Sequence, residues 1–178
     1  MIHTKNFRIK RVNRMNNDKF ILDATAGFRM IWFNKKHPNC IYLDERPECE
    51  PDIVGDFRNL EQFKDETFRL IVFDPPHIIR KPTTNADMIR RYGALQPEEW
   101  QSTLRNGFKE CWRVLKRYGI LLFKWNTSNL SASKVLDLFP EKPLFYQNFK
   151  RQGDRIYTTW FCFMKMPEQP ADKGDKQK

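Results

Sequence analysis

The chain has 178 residues, 40% of them hydrophobic and 14% aromatic, and a formal net charge of +10. That apolar content excludes a disordered polypeptide, and the length fits one domain with a real core, expected over residues 1–166, with little room for a second module. No apolar run is long enough to span a bilayer, and the polar, basic amino terminus does not read as a signal peptide. Cys40, Cys49, Cys111 and Cys162 are scattered with no CxxC pair, and the chain has only three histidines. The expectation is therefore four buried, reduced thiols in a cytoplasmic protein and no metal site.

The positive charge is clustered. Residues 1–20 carry six Lys/Arg against one acid, and residues 78–97 carry four against one. Two such clusters look like a footprint for phosphates, which points to nucleic acid as partner; no membrane partner is expected. Residues 1–19 form a basic leading segment. Residues 167–178 balance lysines against acids with almost nothing apolar, and read as a disordered tail.

Between these ends the pattern alternates strand and helix. Residues 20–23 form a short apolar run closing on Asp23-Ala24-Thr25-Ala26-Gly27, a small-residue turn. Residues 40–44 form a second run ending at Asp44, residues 52–56 a weaker third ending at Asp56, and residues 69–74 a fourth ending at Asp74. Residues 120–125 are the fifth. Continuous apolar runs of this length suit central strands covered on both faces.

The clearest helix lies between the fourth and fifth runs. Pro97 fits its first turn, with Glu98 and Glu99 at the positive end of the dipole. Trp100, Leu104, Phe108, Cys111, Trp112 and Leu115 repeat at spacings of three and four as one apolar face. Lys116 and Arg117 suit its last turn, and Gly119 reads as its stop. Residues 131–139 predict a shorter helix stopped by Pro140. Residues 144–149 and 156–164 then flank a polar turn as a hairpin. The sum is an α/β chain of seven strands, a mostly parallel sheet with an antiparallel strand near its edge, whose ligand belongs at the carboxyl ends of the strands.

Four acids fall at those ends: Asp23, Asp44, Asp56 and Asp74. Each alone could cap a loop, but their joint placement favours a polar cofactor lying across the strand ends. Asp74 opens Asp74-Pro75-Pro76-His77, where a carboxylate, two rigid prolines and an aromatic ring follow directly on a buried strand. That combination suits an enzyme holding the exocyclic amino group of a flat base. Phe57 follows Asp56, and Arg58 is a neighbour without a role. Arg29 could face cofactor or substrate.

With these residues the chain resembles a class I S-adenosylmethionine-dependent methyltransferase. More narrowly, it is similar to the small phage and prophage amino-methyltransferases of nucleic-acid adenine or cytosine. The resemblance spans about residues 18–166, and Asp74-Pro75-Pro76-His77 matches the family's catalytic motif with histidine in the aromatic place. The glycine-rich cofactor loop is reduced to one glycine, Gly27.

The resemblance implies a Rossmann-like fold and S-adenosyl-L-methionine as cofactor. Asp23, Ala24, Thr25, Ala26 and Gly27 would hold its methionine end, Asp44 its ribose hydroxyls, and Asp56 and Phe57 its adenine. Asp74, Pro75, Pro76 and His77 would be catalytic. Lys81, Arg90, Arg91 and Tyr92, in the long basic segment after the motif, are candidate substrate contacts, with Lys124, Trp125 and Asn126 at the end of the fifth strand. The implied reaction is methylation of a base amino nitrogen, adenine N6 in DNA before an RNA adenine or cytosine N4. A catalytically idle nucleic-acid-binding subunit of the same fold is the alternative outside enzymes.

Overall fold

The structure is a computed structural model that describes residues 19–80, 93–150 and 157–167. The basic residues 1–18, the expected substrate contacts Lys81, Arg90, Arg91 and Tyr92, and the tail from residue 168 lie outside the described residues.

All seven expected strands are present. They are β1 (Ile21–Asp23), β2 (Cys40–Asp44), β3 (Ile53–Val54), β4 (Phe68–Phe73), β5 (Leu115–Asn126), β6 (Phe145–Lys150) and β7 (Tyr157–Met164). They form one sheet in the order β3-β2-β1-β4-β5-β7-β6. The first five pair in parallel, and β7 lies antiparallel between β5 and β6. This is the mostly parallel sheet with a carboxyl-terminal antiparallel hairpin that the sequence predicts. Strands β1 and β2 are apolar at almost every position because both faces are covered, and every residue of both is buried.

The chain runs from β1 outward to β3, then returns to the other side of β1 to build β4 and β5. The carboxyl ends of β1 and β4 therefore flank the point where strand order reverses, the place where open α/β sheets bind ligands.

Helix α1 (Trp100–Val114) packs on β4 and β5 through Leu104, Phe108, Cys111 and Val114. An aromatic cluster completes that side of the core: Phe108 stacks on Phe139 with ring centroids 4.1 Å apart, and Phe123, Trp125 and Phe163 close around them. Helix α2 (Ala132–Leu136) is capped by Ser131, whose hydroxyl accepts from the Lys134 N–H. The four cysteines are buried and unpaired. Among the described residues no helix is long and apolar enough to cross a membrane.

Three expectations need correction. Helix α1 starts at Trp100, with Pro97 to Glu99 in the turn before it, and it ends at Val114 because the chain passes straight into β5. Lys116 and Arg117 thus lie in β5, where the register with β4 jumps from Phe68↔Leu115 to Leu70↔Ile120. Gly119 is no helix stop; it sits in this irregularity, where a Cβ would lie 2.7 Å from Leu115 Cδ1.

The alternation of strand and helix also fails in the first half of the chain. Residues 24–39 and 55–67 connect their strands through turns, without an α-helix. The second connection is stitched to α1 by Arg113, whose guanidinium donates to the carbonyls of Leu60 and Phe63 and pairs with Glu110 and Asp65. Glu110 in turn accepts the Leu60 N–H. These bonds satisfy backbone groups that a helix would have satisfied itself.

Gly107 lies mid-helix against Phe57 and Phe73, and a Cβ there would stand 2.5 Å from the Phe57 ring and 2.9 Å from Phe73 Cζ. In an open helix Gly→Ala stabilises by about 1 kcal/mol. Here overpacking reverses the sign, and Gly107→Ala is expected to destabilise by about 1–3 kcal/mol, read as a lowered denaturation midpoint.

Candidate active site

A cavity of about 560 Å³ opens at the switch point. Thr25, Ala26 and Gly27 line one wall, and Asp74, Pro75, Pro76 and His77 the other, with Lys124 and Arg46 at its edges. A second hollow of about 40 Å³ adjoins it, bounded by Ala24, Asp44, Phe57, Pro76 and Gly93. The structure thus brings the small-residue loop, the ends of β2 and β4, and Phe57 around one continuous site.

The loop after β1 is built by its own hydrogen bonds. The Ala24 N–H donates to the Val72 carbonyl, and the Asp74 N–H donates to Thr25 Oγ1 at 2.7 Å, so the β1 and β4 ends are cross-tied. Gly27 adopts φ +48°, which a single glycine supplies at little cost, and its N–H donates to Asp44 Oδ2 at 2.7 Å.

The four strand-end acids have different surroundings. Asp23 is 1% exposed and outside both cavities. Its carboxylate accepts from the Trp32 indole at 2.6 Å and from the Thr25 N–H, so it braces the loop from behind. Burial pushes its pKa up to about 7 against the pull of those two bonds. Asp44 borders the smaller hollow, and both its oxygens are engaged: Arg46 Nε on Oδ1 at 2.8 Å, and Arg46 Nη2 together with the Gly27 N–H on Oδ2. Despite its burial, these bonds hold its carboxyl below the usual range. Asp56 is gripped by Arg58, with Nη2 2.6 Å from Oδ2, and lines neither cavity. Arg58, without a role in the sequence, is the partner of Asp56.

Of these four, Asp74 is the one that lines the large cavity. Burial raises its pKa, while Lys124, whose Nζ donates to Oδ2 at 2.6 Å, and His77 oppose the rise. His77 has its pKa lowered chiefly by burial, so its imidazole is neutral at physiological pH. Its ring lies edge-on to Trp125 at 6.4 Å.

Two of the residues expected to touch substrate are placed otherwise. Trp125 is fully buried in the aromatic core, its indole donating to the Leu130 carbonyl, so it can only back His77. Asn126 orders the turn after β5, donating to Thr158 Oγ1 and accepting the Ser128 N–H. Arg29 faces neither cofactor nor substrate space: it donates to the carbonyls of Lys35 and Glu50 and lies over the Tyr42 ring at 4.2 Å.

The long segment after the motif is anchored at both ends. Arg80 N–H donates to the Leu95 carbonyl and Leu95 N–H to that of Ile78, while Ile79 N–H donates to Asn129. Gly93, at φ +74°, packs so closely on Pro76 that a Cβ would lie 2.9 Å from its Cγ. Sequence reasoning missed Arg46, Trp32 and Gly93. Only Gly93 carried a signal, as the single glycine between the fourth strand and the helix.

Among solved structures the fold is similar to a SAM-dependent methyltransferase from Leishmania major, at 15% identity and TM-score 0.55, covering 91% of this chain and 73% of that one. It is also similar to TrmN from Thermus thermophilus, at 14% and 0.55, covering 89% and 48%. A third similar structure is the N-methyltransferase NodS from Bradyrhizobium japonicum, at 13% and 0.51, covering 92% and 97%. At these identities the likeness is one of fold, and the fold is the Rossmann-like class I methyltransferase fold. No protein-family model matches the chain, and no curated protein is similar enough in sequence to count as a relative.

The raised pKa of Asp23 has a consequence for stability. Between an unfolded value near 4 and a folded value near 7 the native state binds the extra proton, so this group's contribution to stability falls as pH rises through that window. Urea titrations of the wild type and Asp23→Asn at several pH values should show their stability difference moving against the wild type, by on the order of 3–4 kcal/mol across the window.

Proposed function

We infer that the protein transfers a methyl group from S-adenosylmethionine to an exocyclic amino nitrogen of a nucleobase, adenine N6 in DNA first, as the small phage and prophage amino-methyltransferases do. The observation that carries this reading is the single cavity shared by Asp74-Pro75-Pro76-His77 and the Thr25–Gly27 loop. The net charge of +10 favours a polyanionic substrate.

The residues present fit the cofactor. The Thr25–Gly27 backbone would border its methionine end, Asp44 its ribose, and Phe57 in the smaller hollow its adenine. Asp23 would act through the loop it braces, and Asp56 through Phe57 beside it. When bound, S-adenosylmethionine supplies an electrophilic methyl group on a sulfonium.

The chain supplies the rest. An exocyclic amino nitrogen is a poor nucleophile because its lone pair is delocalised into the ring. The Asp74 carboxylate and the Pro75 carbonyl each accept one amino hydrogen, drawing the nitrogen toward a tetrahedral, more nucleophilic shape. Proline suits this work because its fixed φ holds the carbonyl still. Neutral His77 covers the base face as an aromatic lid, and the proton that the amino nitrogen sheds on methylation passes to the Asp74 carboxylate and on to water. Orientation contributes most of the acceleration. A paired base must first be flipped into the cavity; an unpaired one need not be.

Incubation with labelled cofactor and DNA or RNA, followed by nucleoside mass spectrometry, identifies polymer, base and atom together. Asp74→Ala is expected to lower methyl transfer by at least about 100-fold while leaving cofactor affinity nearly unchanged. Retained activity would remove Asp74 from its role, and an active protein with no nucleic-acid product would remove the substrate class.

The Asp44–Arg46 pair makes a separate prediction. Ribose hydroxyls can use the Asp44 oxygens only where the Arg46 guanidinium gives way. In calorimetry Arg46→Ala should therefore bind S-adenosylmethionine severalfold more tightly, and Asp44→Ala at least about tenfold more weakly. Unchanged affinity in both variants would place the ribose elsewhere.

A further inference from the structure

The sequence reads Lys124 as a substrate contact, but the sheet gives it a nearer partner. Strands β4 and β5 run parallel with Phe73 level with Phe123, so the next residues, Asp74 and Lys124, also come level. Lys124 Nζ reaches Asp74 Oδ2 at 2.6 Å, and the two side chains are 26% and 24% exposed. The Trp160 ring, paired with Lys124 across β5 and β7, stands 5.8 Å from Nζ on the other side. Asp74 is held at its main chain as well, through the Thr25 hydroxyl. Its Oδ1 takes no hydrogen bond from the described residues.

We propose that Lys124 is the positioning residue of this site: its ammonium clamps Oδ2 of Asp74 and leaves Oδ1 as the oxygen presented to the incoming amino group. Lys124 touches no reacting atom in this scheme. The proposal rests on the methyl-transfer reading of the site.

The clamp answers a physical difficulty. A carboxylate in a half-buried position gains by taking up a proton, and a protonated carboxyl is a poor acceptor for an amino hydrogen. Among the described residues the charged and titratable groups around Asp74 are Lys124 from β5, His77 from its own loop and Asp23 from the end of β1, while Arg46, tied to Asp44, and Glu48 line the same cavity. Burial is what disfavours the charge on Asp74, and neutral His77 offsets it little. Lys124 is the cation in direct contact, and it fixes orientation as well as charge. A methionine there would fill the same volume without either effect.

The test compares wild type, Lys124→Met and Lys124→Arg by two measurements. The Asp74 carboxyl is titrated by carbon-13 NMR of labelled aspartate, assigned with Asp74→Asn, and kcat/KM is followed against pH on a polynucleotide. In Lys124→Met the Asp74 midpoint should rise by about one pH unit or more, and the acid limb of kcat/KM should move with it. Activity should fall at least about tenfold below the new midpoint and recover above it, with cofactor affinity within about threefold of wild type. Lys124→Arg should return the midpoint most of the way. An unmoved Asp74 midpoint in Lys124→Met overturns the proposal, as does an activity loss that is the same at every pH. The midpoint needs no turnover, so a wild type inactive on every polynucleotide would sink the methyl-transfer reading while the titration still decides whether Lys124 governs Asp74.

Discussion

The cross-tie between the ends of β1 and β4 is the constraint on which the site depends. The Ala24 N–H on the Val72 carbonyl and the Asp74 N–H on Thr25 Oγ1 join the two halves of the sheet where strand order reverses. Without that join, the small-residue loop and the proline-rich motif would be two neighbouring loops with independent motion. With it, the wall facing the proposed cofactor and the wall facing the proposed base are one piece of backbone. The loop can therefore work with a single glycine, because Asp23, Trp32, Thr25 and Asp44 hold it in place of the usual glycine-rich geometry.

Electrostatics sorts the strand-end acids into distinct tasks. Asp23 is sealed behind the loop, Asp44 and Asp56 are each gripped by an arginine two residues along, and Asp74 is paired with Lys124 from the neighbouring strand. Each pairing leaves a different accepting capacity, and of these four acids Asp74 alone keeps an oxygen at the large cavity that takes no hydrogen bond from the described residues. Four similar carboxylates at four similar positions are distinguished by the cation or donor each one meets.

Much of the fold was legible in the sequence, because continuous apolar runs ending in acids leave few alternatives to buried parallel strands. The antiparallel hairpin followed from the polar turn between two aromatic runs. Two boundaries were misread: helical periodicity does not reveal where an amphipathic segment changes conformation, and Leu115 suits a helix face and a strand equally well. The missing helices were invisible for a different reason. Residues 55–67 are held by Arg113, a long-range contact that no local pattern announces. At the site, the sequence put the Asp74–His77 motif and the small-residue loop at strand ends, and they line one cavity, whereas Trp125 could not be assigned to core or pocket. Its alternation along β5 allows either, and only the packing of Phe123 and Phe139 around it decides.

The anchoring of the chain at Arg80 and Gly93 has a consequence for how such a protein can diversify. Backbone bonds of Ile78 and Arg80 to Leu95, together with the contact of Gly93 on Pro76, close the two stems onto the rigid motif. Whatever joins those stems is thermodynamically a tethered insert, and the entropy of closing an insert grows only slowly with its length. Segments of different length and charge can therefore be exchanged between the stems while the walls of the cavity stay as they are. On the proposed reading, target preference and methyl-transfer geometry would be separately inheritable, one carried by the insert and the other by the sheet.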